Sequence, residues 1–228
     1  MRIPKLDRLP PDFQTPFLRG EAAKLRRKNG QLVVKRIFDI VIALVILLLL
    51  SPVILVLSIW IRLDSPGPVF YRQKRVTQFG RPFWIYKFRT MVDGADRKGS
   101  LVTADGDARI TRVGKHIRNW RFDEIPQVFN VLKGDMTMVG TRPEVPRYVE
   151  EYTEEMKLTL LLPAGVTSLC SIAYKDEREL LKDSETAEKT YREKVLPDKM
   201  KINVSELRKF SLGHDLWVLF QTVMVVFR

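Results

Sequence analysis

An uncharged apolar segment of 22 residues, Ile40 to Ile61, constrains the fold of this 228-residue chain more than any other feature. A helix of about 20 apolar residues is long enough to cross a bilayer. Ser51 and Pro52 lie near its middle, and a proline inside a helix removes one backbone hydrogen bond and bends the axis. The segment therefore fits either a spanning helix or a kinked helix that enters and leaves the membrane on one side.

Basic residues flank the segment on both sides, and they favour the kinked path. Positive charge concentrates on the cytoplasmic side of membrane helices, and here it lies at Lys35, Arg36, Arg62, Arg72, Lys74 and Arg75. We predict a re-entrant helix over residues 31–63 with a break at Ser51–Pro52, where the Ser51 hydroxyl would cover the exposed carbonyl. The alternative is a bitopic protein with an extracytoplasmic domain, which labelling of Cys170, or of a cysteine in the N-terminal tail, would distinguish.

The charge balance points to an anionic partner. Lys and Arg exceed Asp and Glu by 39 − 27 = 12, which suits nucleic acid, anionic lipid or a phosphorylated substrate. Nucleic acid is disfavoured, because the aromatic residues do not interleave with the basic ones and no binding motif is present. Residues 1–30 are basic and interrupted by proline, so we predict a disordered tail that membrane lipids attract.

Few residues are available for disulfide, zinc or histidine chemistry. The single Cys170 excludes an intramolecular disulfide. With only His116 and His214, a zinc site or a histidine-based catalytic triad is poorly supplied. Each histidine is read as a surface or packing residue.

The remainder, residues 64–228, reads as one domain. Two strand-like runs, Val69–Val76 and Phe83–Thr90, predict a hairpin. Lys87 and Arg89 fall on one strand face, either a solvated edge or a cationic face toward a diphosphate. Residues 93–107 read as a loop and so does Pro163–Gly165, whereas helical spacing predicts helices at Ile110–Trp120, Val145–Leu160 and Asp176–Val195. The apolar C-terminal stretch, 212–228, fits a core helix or an interfacial one.

The expected fold class is therefore α+β and mostly helical. A membrane helix precedes a cytosolic domain of amphipathic helices with a small β-hairpin.

Two adjacent carboxylates, Asp123 and Glu124, stand out between Arg118 and Arg142. One interpretation is structural, because Asp is a favoured N-cap, Glu suits a first turn, and Gly134 is placed to end the helix. The other is chemical, because an ionised Asp can attack phosphorus and a Glu can bind Mg²⁺. The residues alone leave both interpretations open.

Several motifs in order resemble those of the bacterial sugar transferase family, the small monotopic polyprenyl-phosphate phosphoglycosyl transferases. The resemblance covers residues 34–170 well and the C-terminal third weakly. The motifs are Lys35–Asp39, Ser51–Pro52, Ser65–Gln73, Tyr86–Met91, and Phe122–Gln127 running into Asn130–Met136.

The resemblance implies a reaction, a site and a location. A phosphosugar would pass from a UDP-sugar to a polyprenyl (undecaprenyl) phosphate with release of UMP, as the first membrane-committed step of bacterial surface glycan assembly. Asp123 would form a covalent phosphosugar intermediate and Glu124 would bind Mg²⁺. The phosphate oxygens would be held by Lys87, Arg89, Arg118 and Arg142, the last followed by Pro143. The domain would lie on the cytoplasmic face of the inner membrane, and a homodimer is left open.

The chain departs from the family pattern at three places that bear on sugar and nucleotide contacts. Thr141 stands where the family usually has proline, residues 163–168 replace a Pro-Gly-x-Thr-Gly motif, and no tyrosine lies near Glu206. The rival hypothesis is an inactive, basic, membrane-anchored scaffold for an anionic partner. Asp123→Asn would then be silent.

Overall fold

The computed structural model describes residues 1–95, 107–175, 177 and 187–226, and this part of the chain is mostly helical, as predicted. The first seven helices are α1 Pro16–Arg27, α2 Asn29–Asp64, α3 Arg112–Asn119, α4 Gln127–Lys133, α5 Pro146–Val149, α6 Glu154–Lys157 and α7 Leu169–Ala173. Further helices cover Ala187–Thr190, Leu196–Arg208 and Leu212–Val226, with a π turn at Tyr191–Val195. The strands are β1 Phe70–Val76, β2 Pro82–Phe88, β3 Met136–Val139 and β4 Ala164–Thr167.

Helix α2 contains the whole apolar segment and is 36 residues long, or about 54 Å at 1.5 Å per residue. It continues through Ser51 and Pro52, so the predicted break does not interrupt the helix. Pro52 has no N–H for the carbonyl of Leu48. The Ser51 hydroxyl donates to that carbonyl at 2.9 Å, which confirms the predicted cover.

Both halves of α2 pack against one folded body. Ala43 is buried in a cluster with residues of β2, α4 and β3. Leu57 and Ile61 are buried in another cluster with Val113 and Ile117 of α3. The opposite side of the helix is exposed and apolar, with Leu48 75% accessible. The most apolar 18-residue window has a mean hydropathy of 3.4 and is only 11% buried, which suits a lipid-facing helix better than a soluble core helix.

A buried ion pair joins the start of α2 to the domain. The Lys35 ammonium donates to Asp215 at 2.5 Å and to the Val139 carbonyl at 2.9 Å. Asp39 lies 4.0 Å from Lys35 and accepts a 2.6 Å bond from the Thr137 hydroxyl. Because Lys35 and Asp39 are almost fully buried, these partners must offset the free-energy cost of removing each charge from water. We call Lys35, Asp39 and Asp215 the polar latch.

Arg36 makes a second attachment at the far end of α4. Its guanidinium donates to the carbonyls of Val131 and Leu132 at 2.6 and 3.0 Å. These are last-turn carbonyls, where a cation also complements the helix dipole. Gly134 follows with φ of 87°, the left-handed conformation expected of the predicted C-cap.

The predicted hairpin is confirmed, and a second small sheet was not predicted. Strands β1 and β2 are antiparallel, with Tyr71 opposite Lys87. Strands β3 and β4 are parallel, so the predicted loop at Pro163–Gly165 is wrong from Ala164 onward. Gly165 permits this pairing, because a Cβ there would lie 2.2 Å from the Gly140 nitrogen.

The prediction of a disordered N-terminal tail is wrong. Residues 6–8 and 11–13 form 3-10 turns and α1 follows, with Thr15 capping its first turn. Leu18, Ala22 and Leu25 form a buried stripe in the largest core cluster, together with Leu158. The high basic charge and the prolines concealed this short stripe of helical spacing.

Other predicted helices have mixed outcomes. The helix expected at Ile110–Trp120 is α3, which confirms it. The helix expected at Val145–Leu160 is instead α5, α6 and a 3-10 turn, because Pro146 and the Thr153 cap each start a new turn. The predicted loop 93–107 and the first part of the helix Asp176–Val195 lie largely outside the described residues, and 187–195 are helical.

The C-terminal helix combines the two alternatives considered for it. Val218 is buried in the cluster that contains Ala43 of α2. Trp217, Phe220 and Val223 are about half exposed. One side therefore packs against the domain, and the other side continues the exposed apolar surface of α2.

We expect Asp39→Ala to lower the free energy of unfolding by about 3–5 kcal/mol, because it leaves a buried ammonium with one partner fewer. The melting temperature should fall by roughly 2–4 °C per kcal/mol. Thermal unfolding in nanodiscs measures this, with exposed Gln31→Ala in the same helix as control. Equal melting temperatures for the two variants would contradict a stabilising latch.

Candidate active site

The turn between α3 and α4 carries the two adjacent carboxylates. Arg121 has φ of 55°, which reverses the chain into a 3-10 turn at Phe122–Glu124. Helix α4 begins only at Gln127, and its N-cap position is Pro126, with no side-chain cap. The capping interpretation of Asp123 is therefore wrong, and the carboxylates are free of that structural role.

Glu124 is held by two cations. Arg142 binds it with both terminal nitrogens, at 3.0 Å to Oε2 and with a short contact to Oε1. The Lys87 ammonium donates to Oε1 at 2.9 Å. Burial opposes ionisation, but Arg142 and Lys87 outweigh it and hold the pKa of Glu124 well below its usual range. Glu124 is therefore a fixed anion that raises the pKa of Arg142 in return.

The pKa of Asp123 is shifted in the opposite direction from that of Glu124. The nearest cation recorded for it is the Lys87 ammonium, 4.0 Å from Oδ2, and the described part of the chain offers its carboxylate no hydrogen-bond donor. Burial, followed by the charge of Glu124, raises the pKa of Asp123, although Lys87 and Arg118 act against this. Of the two carboxylates, Asp123 thus has the higher pKa and the weaker contacts with cations.

All four predicted phosphate-binding cations line cavities that include one or both of these carboxylates. Lys87 and Arg142 contact Glu124 directly. Arg118 lines the groove beside Asp123, and its Nε donates to the Thr90 hydroxyl at 2.7 Å. The carboxylates therefore lie among several cationic side chains. Burial lowers the pKa of one of these, the Lys87 ammonium.

Arg89 lines the same groove as Asp123 and Arg118 and also has structural contacts. It is buried, and its guanidinium donates to the carbonyls of Ser65 and Pro66 at 2.7 and 2.8 Å, just after the end of α2. It therefore anchors the end of α2 as well. Ser51 and Pro52 lie on the exposed side of that helix, outside the site.

Sequence reasoning missed a second group of charged residues beside the site. Glu144 is buried, accepts a 2.6 Å hydrogen bond from the Tyr191 hydroxyl, and lies 3.7 Å from Arg75 and 3.9 Å from Lys199. Arg75 also donates to the backbone carbonyl of Pro143 at 3.0 Å. This hydrogen bond places the predicted residue Pro143 beside the site. Alternation along β1 and β2 puts Arg75 on the face of Lys87 and could have found it.

These charged groups and the carboxylate pair share one polar cavity of about 280 Å³. Two buried polar atoms that line it, the Tyr148 hydroxyl and the Asn203 Oδ1, lack hydrogen-bond partners within the described ranges. Buried polar atoms are normally satisfied. The cavity therefore has the character of a site for a polar ligand.

The donor set suits Mg²⁺ only in combination with a phosphate ligand. The described residues hold no group of three or more side chains suited to a metal ion. Mg²⁺ commonly binds one or two carboxylates, with waters and substrate phosphates completing its shell. Glu124 and Asp123 provide such carboxylate oxygens beside cations that a diphosphate would attract.

Comparison with known proteins agrees with this chemistry. A model of the bacterial sugar transferase family matches residues 30–228. The chain is 36% identical, over 85% of its length, to the Aeromonas hydrophila UDP-N-acetylgalactosamine-undecaprenyl-phosphate N-acetylgalactosaminephosphotransferase, of which it covers 43%.

Two further relatives are named for other sugars. The chain is 34% identical to the Caulobacter vibrioides UDP-glucose:undecaprenyl-phosphate glucose-1-phosphate transferase, over 83% of this chain and 68% of the relative. It is 32% identical to the Salmonella typhimurium undecaprenyl-phosphate galactose phosphotransferase, over 88% and 42% respectively. The chain thus spans less than half the length of the Aeromonas and Salmonella relatives.

We expect amide substitutions at the two carboxylates to change stability in opposite directions. The folded-state pKa of Asp123 is raised, so its ionised form costs folding free energy at neutral pH, and Asp123→Asn should raise the melting temperature. The folded-state pKa of Glu124 is lowered, so its ionised form stabilises the fold above the unfolded-state pKa, and Glu124→Gln should lower the melting temperature.

The measurement is thermal unfolding at pH 7 without divalent metal or nucleotide. The two variants serve as each other's isosteric control. Melting temperatures that change in the same direction for both variants would contradict the opposite pKa shifts of the two carboxylates.

Proposed function

The chain belongs to the bacterial sugar transferase family, and on this premise we propose that it transfers a sugar phosphate from a UDP-sugar to polyprenyl phosphate, releasing UMP. The relatives are named for transfers of this kind onto undecaprenyl phosphate. One observation supports the proposal most strongly. Asp123 has a raised pKa and no close ion pair, whereas the adjacent Glu124 is bound by Arg142 and Lys87.

In the first step an Asp123 oxygen attacks the phosphorus that bears the sugar. The phosphorus–oxygen bond to UMP breaks, and its electron pair stays on the UMP phosphate. The product is an acyl phosphate between Asp123 and the sugar phosphate. In the second step an oxygen of the polyprenyl phosphate attacks the same phosphorus, which frees the Asp123 carboxylate and forms the polyprenyl diphosphate sugar.

The cations around the pair would neutralise the diphosphate. Arg142 offers two parallel donors suited to phosphate oxygens, and Lys87 adds a point charge. Both now bind Glu124, so a bound diphosphate would replace this carboxylate as their partner and release its oxygens. Mg²⁺, when bound there, would stabilise negative charge on the leaving phosphate.

The polar cavity would hold the sugar and neighbouring parts of the donor. Tyr148 and Asn203 supply polar atoms that have no hydrogen-bond partner in the described part of the chain, and sugar hydroxyls can both donate and accept hydrogen bonds. Glu144 orders Arg75, Tyr191 and Lys199 around the same space. The named relatives use three different sugars, so we propose the donor class and leave the sugar to assay.

The membrane helix would be re-entrant, with the domain on the cytoplasmic face. Both halves of the apolar segment pack on the same body, and the N-terminal segment belongs to the core that includes Leu158 and Leu161. A helix that crossed the bilayer would carry one end away from this body. Basic residues at both ends of the segment favour the cytoplasmic side.

We expect the wild-type protein with a suitable UDP-sugar and Mg²⁺, but without lipid acceptor, to release UMP in a burst that matches the enzyme concentration. A covalent intermediate permits this partial turnover. Asp123→Asn should show no burst, whereas Asp198→Asn, at an exposed position outside the cavity, should keep it. Coupled UMP detection measures the burst.

UMP release that requires the acceptor would contradict the covalent route. A burst that survives in Asp123→Asn would contradict the role of Asp123. No turnover with any UDP-sugar and acceptor would favour the scaffold hypothesis.

We expect cysteines placed at exposed Lys24 and Lys194 to react with a membrane-impermeant maleimide from the same side. The native Cys170 is a poor reporter, because it is buried and burial raises the pKa of its thiol to about 11. The test therefore uses a Cys170→Ser background in inverted and right-side-out vesicles. Labelling of both sites in inverted vesicles alone supports the proposal, and labelling from opposite sides contradicts it.

A further inference from the structure

A second cavity, of about 250 Å³, borders Glu124 and Arg142 away from most of the polar group. We call it the apolar cavity. Its walls come from α2, α4, β3, β4, α7 and the C-terminal helix, and they are mainly aliphatic: Ile46, Val128, Met138, Val166, Ile172 and Val225. Ligand sites are commonly cavities of this kind, with apolar walls and a few polar groups that orient the ligand.

The hydroxyl groups in the wall of the apolar cavity already have partners. Thr222 donates to the Val218 carbonyl at 2.8 Å, and its hydroxyl lies 2.8 Å from that of Thr167. These hydroxyls therefore do not need a polar ligand as a hydrogen-bond partner. The Tyr148 hydroxyl and Asn203 Oδ1 of the polar cavity, by contrast, have no partner among the described residues. The two cavities differ in the chemistry that they can recognise.

The apolar cavity borders the exposed apolar surface of two helices. Ile46 is half-buried, and Leu49, about one turn further along α2, is exposed. On the C-terminal helix, the half-buried Val225 follows the exposed Met224, and the two helices pack in one cluster. This arrangement would let a hydrocarbon chain on the exposed side of these helices reach the cavity between them.

One end of the cavity is basic. Arg142 lines it together with Arg121 and Lys175, which are exposed, and Glu124 is the accompanying acid. All four residues also line the polar cavity. The complementary ligand is an amphiphile with an anionic head toward Arg142 and an aliphatic chain toward α2.

We propose that the apolar cavity holds the first isoprenoid units of the polyprenyl phosphate acceptor, with its phosphate at Arg142 and Arg121. This rests on the proposed function. Glu124 and Arg142 then border both the donor and the acceptor cavity, and Asp123 lies on the donor side. The acceptor enters sideways from the membrane while UMP leaves through the polar cavity, which matches a reaction in two steps.

The test fills the cavity and measures the two steps separately. Ile46→Trp and Ile172→Trp replace partly buried lining residues on different elements, and overfilling a packed space is costly. Leu49→Trp, on the exposed side of α2, is the matched control. The assays are the UMP burst without acceptor and the KM for a short and a long polyprenyl phosphate.

We expect both cavity variants to keep the burst and to raise the KM for acceptor by roughly tenfold, a difference of about 1.4 kcal/mol. The increase should be equal for the short and long acceptors, because only the first isoprenoid units are affected. The control should match the wild type. Loss of the burst in the wild type itself would instead refute the proposed function.

An unchanged acceptor KM in both cavity variants would overturn the proposal. A burst lost in both variants would also overturn it, since the cavity would then serve the donor step. An increase only for long acceptors would place the binding of the chain elsewhere on the membrane surface.

Discussion

The polar latch relates the membrane helix to the chemistry. Lys35 binds the Val139 carbonyl, and Val139 ends the strand that leads through Gly140 and Thr141 to Arg142. The same helix reaches the far side of the domain at Leu57 and Ile61 and is anchored by Arg89 at its end. The apolar segment is therefore attached to the domain at both ends, which fixes its position relative to the carboxylate pair.

Within the site, the pKa values of two neighbouring carboxylates are shifted in opposite directions because their surroundings differ. Arg142 and Lys87 satisfy Glu124, whereas burial beside that fixed anion makes Asp123 more basic. A basic, desolvated carboxylate near cations is suited to attack a phosphorus whose own charge those cations offset. The polar and apolar cavities share Glu124 and Arg142, whereas Asp123 lines only the polar one of the two.

Local patterns predicted the parts of the fold that depend on neighbours in sequence. Alternation predicted the hairpin, and helical spacing predicted α3. The β3–β4 pair escaped prediction because it joins short segments through the contact of Gly140 with Gly165. The predicted cations were expected near Asp123, and Arg89 lines a groove with it. Strand alternation could not foresee that Arg89 also bonds carbonyls just after the end of α2. Glu144 and Lys199 become neighbours only in the folded chain.

The most direct test of the account is the mass of the protein after reaction with donor alone. The wild type, held in nanodiscs with Mg²⁺ and a panel of UDP-sugars, should gain the mass of one sugar phosphate, and digestion should locate it on the peptide containing Asp123. The mass of the adduct would also identify the class of sugar. An adduct on another residue, or turnover with acceptor in the absence of any adduct, would contradict the account.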